Sequence, residues 1–558
     1  MSRFVDTLVD TANTGGRQRG VTTGEPDKPV RTTWAEVHEQ AREMAGALVA
    51  GGLARHDAVA VLAAEPAAIG PAVQAVWLAG GSVTMLHQPT PRSDLAAWAE
   101  DTVRVLNMIG SKLVLLGAPF DGLAPVLDEH GIGYRLIGDL AGGAPLAAIV
   151  EVDEDAPALL QLTSGSTAEP KAVRITHRNL LANISAMADR AELDDERDIM
   201  VSWLPMFHDM GMVGFYTTPM LMGIELVKVT PVDFLTAPLL WARLISRYGG
   251  TITAAPNFAY ALLGRRLSGA DEEFDLSTLR IALNGAEPID EKAVKSFVDA
   301  GARFGMPAEC VFPAYGMAEG TLAISFARPF IGLRLDYVDA ERLEAENRAV
   351  PVDPAVATRS FAVLGPPLSG FEASIVSQSG SGEVLGEREV GEIRVRGDSV
   401  TPGYLTVNGP LATQDADGWL LTGDLGYTVD GEIVICGRAK DVIILAGRNI
   451  YPTDIERAAA TVEGVRAGNA VAVRLDAGTR RERFAVVVES TKAGDAAAEK
   501  ALRKEVGARV FESVNARPVA VVVLKPGTLP KTPSGKLRRA AAGEQVADQI
   551  KARADEAP

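Results

Sequence analysis

Short apolar runs alternate with helix-length segments over most of this sequence, and this alternation constrains the fold more than any other feature. Amphipathic stretches such as residues 34–50 and 239–248 separate the runs. Alternation of this kind is typical of βαβ units, in which helices join parallel strands and cover both faces of the sheet. The sequence therefore predicts the α/β class with mostly parallel, helix-covered sheets; the strand-like runs include residues 58–63, 113–116, 226–229, 251–255 and 279–283.

The pattern changes after about residue 360. Short strand-like runs follow one another with tight turns at Ser379-Gly380 and Asp430-Gly431, which is typical of antiparallel pairing. We therefore expect a large N-terminal domain over residues 1–437, with an antiparallel subdomain near residues 361–437; its strands include residues 371–376, 391–395 and 432–436.

A smaller α+β domain is predicted over residues 438–558. It has helical patterns at residues 452–462 and 495–511, and its tail, residues 539–558, is rich in alanine and charge. We expect that tail to form a solvent-exposed helix; the strands of this domain are predicted near residues 442–445, 470–473, 483–488 and 519–524.

One uncharged stretch is long enough to cross a bilayer. Residues 66–89 carry no formal charge over 24 positions, but prolines and glycines interrupt them. A helix at residues 67–79 and a buried strand at residues 82–86 explain the stretch better. The sequence therefore predicts no transmembrane segment.

Charge and cysteine content limit the possible partners and the location. The net charge is −17, whereas nucleic-acid-binding proteins present basic faces, so we expect no nucleic-acid partner. The two cysteines, Cys310 and Cys436, lie far apart and are expected to be buried thiols in a reducing, cytoplasmic environment. Because distant charge is screened by salt, any anion site in this acidic chain must be locally basic or rich in backbone N–H groups.

Hydroxyl side chains crowd around one glycine directly after the apolar run at residues 158–160. Hydroxyls and backbone N–H groups at a strand end suit a polyphosphate, glycine permits close approach, and a lysine adds a point charge. The run does not match the common phosphate loop Gly-x4-Gly-Lys-[Ser/Thr], and its alternative explanation is a polar turn between a strand and a helix. It predicts a nucleoside triphosphate site formed by Thr163, Ser164, Gly165, Ser166, Thr167 and Lys171.

Two later segments have the composition of a nucleotide pocket. The first follows an apolar strand and offers a flat slot in which a purine can lie against backbone; it consists of Gly285, Ala286, Glu287 and Pro288. The second places an aromatic side chain, a glycine and a carboxylate on one short loop that contains Tyr315, Gly316, Met317 and Glu319. Each has an ordinary alternative, namely a turn for the first, and a core tyrosine with a surface or helix-capping carboxylate for the second.

Two further segments carry a carboxylate and a lysine that a nucleotide site could use. Asp424 lies between glycines, and a carboxylate there can accept hydrogen bonds from both hydroxyls of a ribose. Lys536 follows two prolines and a glycine, which predict a constrained loop rather than a helix face. The alternatives are a hairpin turn for the first and a solvated lysine for the second. Coincidence explains any one of the five segments, from the hydroxyl-rich run to the Lys536 segment, more easily than it explains all five in this order.

These motifs together resemble the adenylate-forming superfamily, from about Trp34 to Arg539. Residues 203–211 and 446–456 are most similar to fatty acyl-AMP ligases of actinobacteria and to long-chain fatty acyl-CoA synthetases, and residues 328–360 sit where such ligases carry an extra segment. The resemblance implies a β-barrel-like antiparallel subdomain and a mobile C-terminal domain.

The resemblance also implies roles for individual residues. Residues 163–167 with Lys171 would hold the triphosphate of ATP, and the segments 285–288 and 315–317 would line the adenine pocket. Glu319 would bind Mg²⁺, Asp424 and Arg438 would hold the ribose, Lys440 would be the hinge, and Lys536 would enter the active site for adenylation. Ala168 departs from the family pattern, which has glycine there; if the position needed a positive φ, alanine would be strained by roughly 1 kcal/mol.

An uncharged stretch at residues 210–224 is a candidate lining for an acyl chain. Each buried methylene gains about 0.8 kcal/mol, so aromatic and methionine side chains suit such a tunnel. Phe215 and Phe258 are candidate tunnel residues and His208 a candidate for its mouth; the alternative for all three is ordinary core.

The resulting hypothesis is ATP-dependent activation of a medium- or long-chain fatty acid to acyl-AMP, with release of pyrophosphate. The acyl group would then pass to an acyl carrier protein or polyketide synthase, or to coenzyme A. Two alternatives are an amino- or aryl-acid adenylating enzyme and a non-catalytic nucleotide-binding homologue. Glu319 and Lys536 argue against the last of these.

Overall fold

The computed structural model describes residues 2–15, 18–90, 93–163, 169–445, 448–479, 482–532 and 536–554. The chain divides into two compact units. The first contains Met1–Arg334, Leu364–Glu372 and Val395–Leu420, and the second contains Leu335–Val363, Ala373–Arg394 and Leu421–Pro558. The predicted domain boundaries at residues 361 and 437 stay predictions, because internal contacts do not show which segments move together.

Sixteen α-helices are assigned among the described residues. They are α1 Arg3–Asn13, α2 Trp34–Ala50, α3 Pro66–Leu78, α4 Leu95–Ile109, α5 Ala124–Glu129, α6 His177–Arg190, α7 Thr218–Met222, α8 Pro231–Thr236, α9 Leu239–Tyr248, α10 Asn257–Ser268, α11 Glu291–Ala302, α12 Ala340–Glu346, α13 Pro452–Ala460, α14 Ala496–Val514, α15 Arg539–Gln545 and α16 Ala547–Ala554.

The strands in the same part of the chain number 27. They are β1 Gly20–Thr23, β2 Val30–Thr33, β3 Ala58–Leu62, β4 Ser82–Met85, β5 Ser111–Leu116, β6 Tyr134–Leu136, β7 Pro157–Thr163, β8 Lys171–Thr176, β9 Ile199–Ser202, β10 Glu225–Lys228, β11 Ile252–Ala255, β12 Ile281–Asn284, β13 Val311–Gly316, β14 Ala323–Phe326, β15 Leu335–Val338, β16 Arg359–Ala362, β17 Phe371–Val376, β18 Gly391–Gly397, β19 Gly403–Thr406, β20 Gly409–Ala412, β21 Leu420–Val429, β22 Glu432–Arg438, β23 Ile443–Leu445, β24 Arg448–Ile450, β25 Ala470–Leu475, β26 Arg483–Glu489 and β27 Ala520–Leu524.

Two eight-stranded sheets form the core of the first unit. Their strand orders are β14-β13-β12-β11-β9-β10-β1-β2 and β20-β19-β8-β7-β4-β3-β5-β6. The central strands of both are parallel, and antiparallel pairs lie toward the edges. The predicted α/β class with mostly parallel sheets is therefore confirmed. All five sequence-predicted strands of this region are present, with ends that differ by at most two residues.

Local signals fix the helix ends next to these sheets. α2 begins after Thr33, whose hydroxyl accepts the N–H of Glu36 at 3.2 Å while the Glu36 carboxylate accepts the N–H of Thr33 at 2.7 Å. α6 follows β8 directly and begins with the same reciprocal pair, made by Thr176 and Asn179. Such capping boxes satisfy N–H groups that a helix start leaves without partners.

The uncharged stretch at residues 66–89 forms α3 and β4, as predicted. Every residue of β3 and β4 is buried, and α3 is buried over most of its surface. Continuous apolar sequence is what a parallel strand covered on both faces requires. In the described part of the chain, no helix combines the length and the apolar character needed to cross a membrane. Cys310 and Cys436 are buried free thiols, as predicted.

The second unit contains a four-stranded sheet of order β17-β18-β21-β22 and a three-stranded sheet of order β25-β26-β27. Alternate residues of the three-stranded sheet pack on opposite faces. Val486 and Val488 face α13 and α14, whereas Val471 and Val487 face α15 and α16. This small domain therefore buries both faces of its sheet under helices.

The tail is helical as predicted, but the prediction that it is solvent-exposed is wrong for one of its faces. Residues 539–554 form α15 and α16, and one stripe of them is buried: Ala542 is 0% exposed, Val546 1% and Ile550 5%. Gly543 lies so close to the sheet that a Cβ there would be 2.7 Å from Cγ1 of Val473. The stripe recurs every four residues, which places it on one helical face.

The segment at residues 328–360, where similar ligases carry an extra segment, contains β15 and α12 and the start of β16; β15 and β16 pair antiparallel. Within the second unit it contacts residues 448–454. Arg448 Nη2 lies 2.5 Å from Glu344 Oε2, the Asn449 amide donates to Asn347 Oδ1 at 2.7 Å, and Arg359 pairs with Asp454.

Candidate active site

The hydroxyl-rich run connects two antiparallel strands. β7 ends at Thr163, β8 begins at Lys171, and these two residues face each other in the register. Ser164, Gly165, Ser166 and Thr167, together with Ala168, lie outside the described residues. The element after the run is a strand and not the helix that the alternative explanation assumed, and both the triphosphate site and the polar turn stay predictions.

Tyr404 contacts both charged residues that were predicted near the phosphates. The Nζ atom of Lys171 lies 4.9 Å from the centroid of the Tyr404 ring. The Tyr404 hydroxyl donates a hydrogen bond of 2.5 Å to Oε1 of Glu319. The base of the phosphate loop and the predicted metal ligand are therefore neighbours in the first unit, although 148 positions separate them in sequence.

Glu319 is suited to Mg²⁺ as a single protein carboxylate. It is partly exposed, and its Oε1 accepts a hydrogen bond from the uncharged Tyr404 hydroxyl. Glu319 forms no ion pair with any residue in the described part of the chain. Mg²⁺ commonly takes one or two carboxylates together with substrate phosphates and keeps several waters. The described residues contain no group of three or more His, Cys, Asp or Glu side chains able to hold a metal.

The first predicted adenine segment follows β12 at the carboxyl end of the sheet. Its second residue, Ala286, has a φ of +69°, a left-handed conformation that costs a non-glycine residue roughly 1 kcal/mol. The Glu287 carboxylate accepts the backbone N–H of Phe258 at 2.6 Å, which ties the segment to the start of α10. Strained backbone of this kind is concentrated at ligand sites.

The second predicted adenine segment ends the neighbouring parallel strand, β13. Because β12 and β13 pair in parallel, their carboxyl ends meet at one edge of the sheet, where ligands of open α/β sheets bind. Tyr315 is 8% exposed, and its hydroxyl lies 4.0 Å from the sulfur of Met317. A Cβ on Gly316 would lie 1.8 Å from the carbonyl oxygen of Leu322, so only glycine fits there.

The predicted ribose residues form an ion pair in the second unit. Asp424 on β21 faces Arg438 at the end of β22, and Nε of Arg438 lies 2.7 Å from Oδ1 of Asp424. Asp424 is buried, whereas the Arg438 side chain is 47% exposed. The arginine therefore orients the Asp424 carboxylate from one side.

The predicted hinge and catalytic lysines also lie in the second unit. Lys440 is exposed, and its carbonyl oxygen accepts a hydrogen bond of 2.8 Å from Arg474. The Lys536 backbone N–H donates to the Thr532 hydroxyl at 3.0 Å, and the Lys536 carbonyl accepts the Thr532 N–H at 2.7 Å. Residues 533–535 lie outside the described residues, and Lys536 itself does not belong to a helix.

His208 lies beside two residues that the sequence did not single out. Its Nδ1 is 2.6 Å from Oδ1 of Asp209. His87, directly after β4, contacts Phe207 edge to face, and burial together with nearby His208 lowers the pKa of His87 to about 4. His87 is therefore neutral at physiological pH. Gln161 of β7 donates to the Phe207 carbonyl at 2.9 Å, which holds this segment next to the strand that leads into the phosphate loop.

The two candidate tunnel phenylalanines lie in different surroundings. Phe215 is 4% exposed and interrupts the helical run Met210–Thr217 with φ −120° and ψ 21°. Phe258 is partly exposed at the first turn of α10, and its ring centroid is 6.4 Å from that of Trp203. Phe258 thus lies at the edge of an aromatic cluster that continues through Trp203 to Phe234 and Trp241.

A model of the protein family described as "AMP-binding enzyme" matches residues 10–405. The chain belongs to the AMP-binding enzyme family. The predicted resemblance to the adenylate-forming superfamily is confirmed, and the matched range includes the phosphate loop, both adenine segments and Glu319.

Individual relatives of this AMP-binding enzyme are similar over most of its length. It is 55% identical over 543 residues to the protein named "Putative ligase Rv1013" of Mycobacterium tuberculosis, covering 97% of this chain and 99% of that one. It is 35% identical to the medium-chain-fatty-acid–[acyl-carrier-protein] ligase JamA of Moorena producens, covering 70% and 68%. A solved chain from structural and functional studies of fatty acyl-adenylate ligases from E. coli and L. pneumophila superposes with a TM-score of 0.89 at 30% identity, over 99% of both chains.

Within the first unit of this AMP-binding enzyme, the structure brings together Lys171 and Glu319 at Tyr404, and the two adenine segments at one sheet edge. The second unit separately pairs Asp424 with Arg438. Sequence reasoning did not single out Tyr404 or His87. Tyr404 carries no recognisable motif, and its only signal is a tyrosine after a glycine in a short strand-like run.

Proposed function

We propose that this protein uses ATP to convert a medium- or long-chain fatty acid to acyl-AMP and pyrophosphate, and then transfers the acyl group to a thiol. The observation that carries the proposal is the meeting of Lys171 and Glu319 at Tyr404. This arrangement places a cation at the phosphate loop close to a carboxylate that is suited to Mg²⁺. A triphosphate bound there would contact the Lys171 ammonium directly and the Glu319 carboxylate through the metal ion.

In the proposed first step, a fatty acid carboxylate oxygen attacks the α-phosphorus of ATP. The bond between the α-phosphorus and the bridging oxygen breaks, and its electron pair leaves with pyrophosphate. The ammonium groups of Lys171 and Lys536 stabilise the negative charge that builds on the phosphoryl oxygens. Mg²⁺ held by Glu319 would supply further positive charge at the phosphates. No side-chain nucleophile is needed, because positioning and charge stabilisation suffice.

The remaining predicted residues would orient the nucleotide. Asp424 would accept hydrogen bonds from the ribose hydroxyls, with Arg438 holding its carboxylate in place. The segments after β12 and β13 would receive the adenine against backbone.

In the proposed second step, a thiol sulfur attacks the acyl carbonyl carbon of acyl-AMP. The bond from that carbon to the AMP oxygen breaks, AMP leaves with the electron pair, and the thiol proton passes to solvent. The C-terminal domain would turn about Lys440 between the two steps, withdrawing Lys536. The thiol would belong to an acyl carrier protein or polyketide synthase, or to coenzyme A.

The choice of a fatty acid is supported by the apolar surroundings of the 203–217 region and by the relatives. Phe258, which is partly exposed and packs against buried Trp203, offers aromatic surface beside the first adenine segment, and each buried methylene gains about 0.8 kcal/mol. JamA and the fatty acyl-adenylate ligases are named for fatty acid substrates.

Exchange of labelled pyrophosphate into ATP tests the first step with a panel of acids. We expect exchange with decanoate and palmitate but not with amino acids or benzoate. Exchange confined to amino or aryl acids would replace the proposal with an amino- or aryl-acid adenylating function. Absence of exchange with every acid would favour a non-catalytic nucleotide-binding protein.

A competition assay tests the acceptor. The protein is supplied with ATP, the preferred acid and equal amounts of coenzyme A and a carrier protein with its phosphopantetheine thiol, and both products are measured by mass spectrometry. Acylation of one of the two thiols identifies the acceptor. Accumulation of acyl-AMP with neither thiol acylated would contradict the second step.

A further inference from the structure

We propose that Tyr404 is a positioning residue that holds the Glu319 carboxylate for Mg²⁺ and keeps the Lys171 ammonium apart from it. The inference rests on the proposed function in taking Glu319 as the metal ligand. The Tyr404 hydroxyl donates to Oε1 of Glu319 at 2.5 Å, and the Tyr404 ring faces the Lys171 ammonium at 4.9 Å.

Tyr404 ends a segment that fixes the backbone around Glu319, here called the clamp, residues 399–404. The Thr401 N–H donates to the Glu319 carbonyl at 2.8 Å. The Ser399 carbonyl accepts the Thr321 hydroxyl at 2.7 Å. Thr321 has a φ of +71°, which is unfavourable for a β-branched residue and persists only where its surroundings enforce it. The clamp therefore holds Glu319 at its own backbone carbonyl, at Thr321 two residues later and through its side chain.

The clamp is also attached to the strand that leaves the phosphate loop. β19 pairs antiparallel with β8, with Tyr404 opposite Val173 and Thr406 opposite Lys171. Tyr404 and Lys171 are thus diagonal neighbours on one face of the pair, within reach of an aromatic and a long side chain. The Thr401 hydroxyl donates in addition to the Arg174 carbonyl at 2.5 Å. One segment thereby sets the distance between the phosphate loop and the metal ligand.

A phenol is suited to separating these two charges. Lys171 and Glu319 would neutralise each other if they paired directly, and neither would then be fully available to phosphate or metal. Tyr404 offers the carboxylate a neutral donor and the ammonium an aromatic face, so each charge is held without being cancelled. No ion pair joins Lys171 to Glu319 in the structure, where both are described.

The test measures the affinity for ATP by calorimetry with Mg²⁺ and, separately, with chelator. The full-length Tyr404→Phe variant keeps the ring but loses the hydroxyl. We expect the Mg²⁺-dependent gain in ATP affinity to fall about fivefold or more, since hydrogen bonds to charged groups are worth this much, while the affinity in chelator is unchanged. Tyr404→Leu, which also removes the ring, should weaken ATP binding in chelator as well, because Lys171 is then no longer held.

Tyr134→Phe is the matched control, because the Tyr134 hydroxyl meets the Asp128 carboxylate at 3.5 Å on the surface of the same unit. It should bind ATP like the wild type under both conditions. Wild-type Mg²⁺ dependence in Tyr404→Phe would overturn the proposal, as would an equal loss of affinity with and without Mg²⁺. The proposal would also be overturned if the ATP affinity of the wild type were the same with Mg²⁺ and with chelator. Failure of the wild type to exchange pyrophosphate with any acid would overturn only the proposed function.

Discussion

At the scale of single residues, Lys228 is the most unusual charge in the chain. It ends β10 opposite Ser202, its side chain is 1% exposed, and its ammonium donates to the Ser202 hydroxyl at 3.4 Å and to the Leu204 carbonyl. Neither partner is charged. Burial lowers the pKa of Lys228 to about 7.

This lowered pKa makes the stability depend on pH. Between about pH 7 and pH 10 the unfolded chain binds a proton at this lysine that the folded chain does not, so stability rises with pH through that window. We expect Lys228→Met to unfold at a higher temperature than the wild type at about pH 7. The difference should shrink toward about pH 9.5, as followed by thermal unfolding.

Lys295→Met is the control for the Lys228 prediction, since Lys295 is a 72% exposed lysine on α11. Its effect on the unfolding temperature should be small and independent of pH. A Lys228→Met variant whose difference from the wild type stays constant across this pH range would show that Lys228 does not titrate in this window.

Site residues could be predicted where a reactive side chain directly follows a strand in the sequence. Contacts between segments that are distant in the sequence could not be predicted. Glu319 and Asp424 could be chosen because glycines lie close to both carboxylates in the sequence. The hydrogen bond from Tyr404 to Glu319 spans 85 positions and depends on the register of β19 with β8, which no local pattern carries. The positive φ of Ala286 is likewise imposed by its surroundings, because alanine by itself disfavours it.

At the scale of elements, apolar runs and helical periodicity predicted the strands and helices of both units well, but not the contact made by the tail. The composition of residues 539–558 is dominated by alanine and charged residues, which is typical of a solvent-exposed helix. Their apolar stripe has three members among the described residues, at 542, 546 and 550, and it is recognisable only once the apolar outer face of β25–β27 is known to be its partner. Burial of a short stripe depends on the sheet beside it, and so it is a tertiary rather than a local property.

The stripe predicts which substitutions in α16 destabilise the small domain. Ile550 is 5% exposed in the cluster that contains Val473 and Val522, whereas neighbouring Gln549 is exposed. Ile550→Asp should therefore cost several kcal/mol, because an unpaired carboxylate would replace a buried apolar side chain. Gln549→Asp adds the same charge one position earlier and should leave the free energy of unfolding, measured by denaturant titration, within about 0.5 kcal/mol of the wild type. Equal free energies of unfolding for the two variants would show that the stripe is not packed.

At the scale of the whole molecule, the proposed chemistry requires groups from both compact units to act on one nucleotide. Lys171, Glu319 and the adenine segments belong to the first unit, whereas Asp424, Arg438 and Lys536 belong to the second. The groups proposed to bind the phosphates, the metal and the adenine before reaction lie in the first unit, whereas Lys536 of the second unit is proposed to stabilise the phosphoryl charge that builds during adenylation. Binding of ATP and the adenylation step should therefore respond differently when a residue of the second unit is removed.

Lys536→Ala separates these two properties. We expect the rate of pyrophosphate exchange to fall by about a hundredfold or more, the usual effect of removing one charge that stabilises a transition state, while ATP affinity changes by less than about twofold. Lys531→Ala removes a cation five positions earlier in the sequence and should exchange pyrophosphate at the wild-type rate. Exchange by Lys536→Ala at that rate would show that adenylation does not use this lysine, and a parallel loss of ATP affinity would show that it acts in ground-state binding instead.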